Sequence, residues 1–199
     1  MKKESTKKIF QRVAAKFGLC GKDKTFFMRH GDAYLIVNLQ KASDNCSFYI
    51  NGGLSYIDLL SSSDLVCSPV SAYNNQSTQF PIHVAFRAEN VPNSPITQAG
   101  IDAAASSHDA IAIENIIFIA LESMILFARN HGDRKEVRRL KQAKLFPAII
   151  KKRFDALRLN LYQKPKLTES ARFQRNIYQQ NAIKPGVAQA NSTEATAPY

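Results

Sequence analysis

The stretch from Ala110 to Ala128 is the long apolar run of this chain, and it constrains the fold more than any other feature. It approaches the length of a membrane span, yet Glu114, Asn115, Glu122 and Ser123 divide it into short pieces. A carboxylate near the bilayer centre costs a few kcal/mol, so two of them favour burial inside a protein over membrane insertion. At helical spacing Ile113, Ile117, Ala120, Met124 and Phe127 form one broad stripe, while Phe118, Ile119 and Ile125 interrupt the face holding Glu114, Asn115 and Glu122. The pattern predicts a central, most buried helix running to Arg129. Ser106 and Asp109 resemble a capping box at its start, and Asp109 suits the positive end of the helix dipole.

Elements able to cover that stripe lie upstream. Ser5 to Phe17 reads as an amphipathic helix, with Ile9, Phe10, Val13, Ala14 and Phe17 on one side. Gly18 supplies a left-handed stop, after which Leu19 can fold back on the last turn. Thr25 to His30 and Ala33 to Gln40 are two strand-like runs around a Gly31-Asp32 turn, which is a hairpin signal. Further strands are expected at Ser47 to Asn51 and Pro81 to Arg87, paired antiparallel in sequence order. Ser61 to Gln79 is polar enough for a long surface loop, and Asn90 to Gly100, with Pro92 and Pro95, is a second break.

From Arg134 the pattern stays helical but changes phase at Pro147, and Ile150, Phe154, Leu157 and Leu161 line one side of the second piece. Thr168 can cap a short helix holding Phe173 and Ile177, and Ala188 to Tyr199 has the composition of a frayed tail. With 199 residues and 45% apolar content, one core is feasible without staples. The expectation is an α+β protein: an antiparallel sheet of about four or five strands packed against an N-terminal helix and a central buried helix, with basic C-terminal helices. Residues 1–165 form a single domain on this reading, and 166–199 a short helix and polar tail.

Charge is the strongest functional signal. The net +11 is segregated: residues 1–29 balance to +7, residues 30–128 to −7 and residues 129–199 to +11. Basic helices can simply solvate the outer surface of an acidic middle. They can also meet an anionic partner, and Arg138, Arg139, Lys141, Lys151, Lys152 and Arg153 are the candidate anion-binding set. No RNP motif, zinc-finger spacing or helix-turn-helix accompanies them, so nucleic-acid binding would be indifferent to sequence. An acidic protein partner fits the same charge. The polar sheet positions Asn38, Gln40, Lys41, Asn51, His83 and Arg87 are the candidate partner-binding groove.

Catalytic signals are weak. His30, His83, His108 and His131 sit far apart without metal-ligand spacing, and no cofactor motif is present. Glu114 and Glu122 fall about 80° apart around a helix. That spacing permits an acid/base pair, but equally a partner for an arginine such as Arg129. Ser5-Thr6-Lys7-Lys8 matches S-x-x-K by chance, without the other serine-enzyme motifs. Asn51-Gly52-Gly53 lacks the rest of a phosphate loop and reads as a bulge or strand exit. A hydrolase or transferase is the least supported function.

No apolar run follows the basic start Met1 to Lys8, so no export is expected and the location is read as cytoplasmic, which makes the sequons at Asn45, Asn75 and Asn191 accidental. Cys20, Cys46 and Cys67 are an odd set without a C-x-x-C pair, expected as reduced, mostly packed thiols.

Phe17-Gly18, Phe26-Phe27-Met28-Arg29, Val37-Asn38-Leu39-Gln40-Lys41 and Phe48-Tyr49-Ile50-Asn51-Gly52-Gly53-Leu54 together resemble the bacterial domain-of-unknown-function 4304 family over about residues 7–60. The resemblance implies a small cytoplasmic α+β protein with a helix-backed antiparallel sheet. It brings no established activity and no catalytic residues. An immunity-like, protein-binding role is the association it carries. The function expected from the whole is therefore a non-catalytic protein-binding protein, with a nucleic-acid-binding accessory protein as the alternative.

Overall fold

A computed structural model of the chain describes residues 4–43, 46–73, 79–151 and Phe154. Contacts divide the chain into Met1–Leu157 and Arg158–Tyr199, and the second unit lies outside the described residues, as do the helix expected after Thr168 and the tail.

The first helix, α1 (Thr6–Lys16), begins on Ser5, whose side chain accepts from the Lys8 amide. It ends as its sequence predicts. Gly18 takes φ +71°, the Gly18 amide donates to Ala15 O, and the Leu19 amide donates to Ala14 O at 3.1 Å. Among the described residues six strands follow: β1 (Cys20–Lys22), β2 (Thr25–His30), β3 (Ala33–Lys41), β4 (Phe48–Tyr56), β5 (Val84–Arg87) and β6 (Ile149–Ile150). They pair antiparallel in sequence order, giving one six-stranded sheet and an α+β fold. The β2–β3 hairpin turns on Gly31 at φ +55°.

Two strands go beyond the sequence reading. β1 is short and exposed at the sheet edge, and exposed Cys20 lies on it rather than packing inward; Cys46 is exposed as well. β6 takes Ile150, expected on a helix, and pairs it with Val84. Pro147 does break the helical pattern, but a strand follows it instead of a new first turn.

Strand β4 is longer than expected because Gly52 and Gly53 continue it in regular register, opposite Val37 and Ile36 on β3 and opposite Phe86 and Ala85 on β5. They are neither bulge nor exit. A Cβ on Gly52 would collide with the Phe86 ring, which is packed against Phe127 and Phe146 at 5.7 and 5.2 Å between centroids. A Cβ on Gly53 would stand 2.9 Å from Ile82 Cγ2 on the other face. The two glycines thus admit a side chain from each side of the sheet.

The helical layer covers one face. α3 (Gln98–Ser107) was not foreseen: Thr97 caps it and His108 closes it in the left-handed conformation at φ 56°. Ser106 therefore lies in the last turn of α3, and Asp109 alone caps α4 (Ala110–His131), accepting from the Ile111 amide. The α4 stripe is buried as the spacing predicts, with Ile117, Ala120, Leu121 and Met124 fully inaccessible, and it packs on α1, α3 and the sheet. By length and composition alone α4 would suffice to cross a membrane. Its opposite face leaves Ile111, Phe118, Ile119 and Leu126 exposed. α5 (Arg134–Gln142) follows on an Asp133 cap and buries Val137 and Leu140.

On the other face, the segment expected as a loop contains short helical elements. It holds α2 (Ser62–Leu65) and a 3-10 turn at Pro69–Tyr73, and its Ala72, with Phe80 and Ile82 just beyond, packs on Ile36 in a small second core. Gly52→Ala should lower unfolding free energy by about 1–3 kcal/mol through overpacking. In urea titrations the Gly52→Ala/Phe86→Leu double variant should lose less than the sum of the single losses, because the shortened side chain makes room for the methyl group.

Candidate functional site

The sheet face opposite the helices is covered only in part. One end stays open, and its residues follow from register. Asn38, Asn51 and Arg87 stand directly opposite one another on β3, β4 and β5, and Gln40 stands opposite Tyr49 one pair further out. Partners in register share a face, so the structure does bring Asn38, Gln40, Asn51 and Arg87 together.

Their roles differ. The Asn38 side chain is 9% exposed and its amide donates to Lys24 O at 3.1 Å and to Thr25 Oγ1 at 2.9 Å. It ties β3 to β2 and has no donor left for a partner. Asn51 donates to Gln40 Oε1 at 2.9 Å, and the Asn51 carbonyl and the Gln40 amide nitrogen have no hydrogen-bond partner among the described residues. The Arg87 guanidinium lies 4.0 Å above the Tyr49 ring, with Glu89 at 3.8 Å. Cation–π contact of this kind holds an arginine rigid while its outer edge stays available. Tyr49 was missed in the sequence, although it precedes Asn51 by two positions and so shares its face.

His83 does not join them. It is 1% exposed, its Nδ1 accepts from the Tyr56 amide at 3.0 Å, and its ring stacks near Tyr56 at 6.2 Å. His83 precedes β5, and the hydrogen bond from the Tyr56 amide holds its ring beside Tyr56 instead of in the row with Arg87.

Two clefts flank this end. A cleft of about 540 Å³ is bordered by Lys22, Lys24, Thr25, Gln40 and Tyr73. A neighbouring one of about 690 Å³ opens between the start of α1, the β3–β4 ends and the α3–α4 junction, bordered by Ser47, Phe48 and His108. Lys7, Lys24 and Lys41 border both and so form the ridge between them. Lys7 is engaged by Asp23 at 2.8 Å, which draws the Asp23 carboxyl below its ordinary range. Lys24 and Lys41 have no ion pair among the described residues. The Tyr73 hydroxyl is buried with no hydrogen-bond partner among the described residues, and that burial raises its pKa. Asp102 in the middle of α3 accepts from Ser47, which borders the larger cleft, and from Gln98, hydrogen bonds that hold its carboxyl low.

The candidate anion-binding residues are not gathered into an open surface. Arg138 donates to Phe154 O and lies over the Phe154 ring at 4.9 Å. Arg139 forms a fork with both oxygens of Glu136, which, with His131 nearby, holds that carboxyl down to about 2. Lys141 donates to Ala148 O. Lys151 is exposed, while Lys152 and Arg153 lie outside the described residues. Segregation of charge was legible in the sequence; the local use of each cation was not.

The proposed acid/base pair is also dissolved. Glu114 is held by Lys16 and Arg12, each at 2.8 Å, and these bonds clamp α1 to α4. Glu122 stands apart on the exposed face of α4. Among the described residues no three His, Cys, Asp or Glu side chains gather as a metal site.

Hydrogen bonds from Lys16 and then Arg12 lower the Glu114 pKa in the folded protein. Its contribution to stability is therefore full above the unfolded glutamate range and is lost as pH falls through the lower folded value. Glu114→Gln should unfold at lower urea than wild type at pH 7, and the gap should close on acidification below about pH 4. The chain matches no family model, no curated protein and no solved structure, so its function is argued from this geometry.

Proposed function

We propose that the protein is a non-catalytic binding protein whose open sheet end receives an acidic segment of another protein. The observation that carries this reading is an Arg87 held over Tyr49 beside Gln40 and Asn51 on the open face, with Lys24 and Lys41 bordering the two adjoining clefts; Lys41, opposite Phe48, falls on the other face of β3, and among the described residues neither lysine has an ion pair. Arginine and tyrosine are the side chains that most often anchor protein interfaces, because they bring large contact area with few rotors to freeze. Lysines around such an anchor speed encounter with an acidic partner and repel a basic one. Gln40 and Asn51 add a donor and an acceptor able to meet a backbone. The nucleic-acid alternative draws less support, since Arg138, Arg139 and Lys141 already satisfy partners within the domain.

Affinity capture from the native cell at low salt, comparing wild type with a Lys24→Glu/Lys41→Glu/Arg87→Ala variant, tests the proposal. Wild type should retain a stoichiometric protein, and the variant should retain less than about a tenth of it, a loss of roughly 1.4 kcal/mol or more. Equal retention by both would remove the sheet end from the interface. Recovery of nucleic acid alone, with affinity falling linearly in log salt, would put the alternative in its place.

A further inference from the structure

The exposed face of α4 carries a second, independent surface. Ile111, Phe118, Ile119 and Leu126 are 69%, 38%, 37% and 46% exposed, a large apolar area for a single helix face. Helical spacing arranges this face as two parallel ridges of i, i+4 neighbours. One ridge is Ile111, Asn115 and Ile119; the other is Phe118, Glu122 and Leu126. Each reads apolar, polar, apolar. Asn115 and Glu122, the two polar members, are exposed and have no hydrogen bond or ion pair among the described residues.

We propose that this face pairs with the same face of a second copy of the chain, antiparallel, about a two-fold axis passing between Phe118 and Ile119. That operation inverts the height of each residue along the helix and brings positions whose numbers sum to 237 into one layer. Ile111 shares a layer with Leu126 of the second copy, the Asn115 amide donates to the Glu122 carboxylate, and at the axis Phe118 and Ile119 each meet their own symmetry mate. Every apolar member thus faces an apolar one and the Glu122 carboxylate faces a donor, twice per dimer, as an isologous interface requires. A parallel arrangement in register would instead oppose Glu122 to Glu122 and is disfavoured. The face sits on a helix about 33 Å long, and its centre is braced from below, where Phe118 lies 4.8 Å from the Phe17 ring of α1. The surface is separate from the sheet end, so the pairing stands or falls apart from the proposed function.

Sedimentation equilibrium of the full chain from about 1 to 200 μM, with far-UV circular dichroism confirming the fold of each variant, decides the matter. A concentration-dependent dimer is expected, with Kd in the micromolar range suited to a modest interface. Ile119→Glu should abolish it. Asn115→Asp, which opposes two carboxylates, should weaken it roughly tenfold, and Asn115→Lys should tighten it severalfold. In a background with the native cysteines replaced by serine, mixed Asn115→Cys and Glu122→Cys chains should crosslink to each other, and Asn115→Cys chains should not crosslink to themselves. A monomer throughout the range, as when the chain's own residues 158–199 cover the face, overturns the proposal. So does a dimer indifferent to Ile119→Glu, or wild-type sedimentation with phosphatidylglycerol vesicles that Ile119→Glu abolishes.

Discussion

Two adjacent glycines at the middle of β4 set the thickness of this protein. Where Gly52 and Gly53 lie, β4 has no side chains of its own on either face, and the space is taken by Phe86 of β5 on the helix side and by Ile82 on the other. Phe86 in turn fills the gap between Phe127 on α4 and Phe146 after α5, so the helical layer rests on the sheet through one aromatic contact chain. Ile82 does the corresponding work on the opposite face, where it holds Phe80, Ala72 and Ile36 in the smaller core. Larger residues at either glycine would push one layer away.

That arrangement also decides which part of the sheet stays open. The smaller core covers the row around Ile36 and Gly53, and the next rows outward, from Asn38 to Arg87 and from Gln40 to Tyr49, lie beyond it. Polar and aromatic side chains there are presented by strands that pair over nine residues, so they are held in place before any partner arrives. Lysines from α1, the β1–β2 turn and the end of β3 meet at the same edge. Part of the segregated charge of the sequence becomes, in three dimensions, a local positive edge beside the open sheet end.

Local patterns were the legible part. The hairpin at Gly31, the Gly18 helix stop and the buried stripe of α4 each depend on residues a few positions apart, and each formed as read. What the sequence hid depended on distant partners. Gly52-Gly53 reads as a break until Phe86 and Ile82 are known to fill it, Ile150 reads as helical until Val84 pairs with it, and α3 is obscured by its small residues. The candidate site divided along the same line. Alternation placed Gln40, Asn51 and Arg87 on one face, but it could not show that His83 is held beside Tyr56, that Asn38 spends its amide on Lys24 and Thr25, or that Arg139 is taken by Glu136.

The central claim is that the sheet end, and not the basic surface of α5, meets the partner. Lysine reactivity settles it most directly: brief acylation of the protein inside its native cell extract and again after purification, read residue by residue by mass spectrometry. The account predicts that Lys24 and Lys41 are shielded in the extract and reactive once purified, with Lys135 and Lys144 equally reactive in both. Shielding of Lys135 and Lys144 with Lys24 and Lys41 unchanged would contradict it.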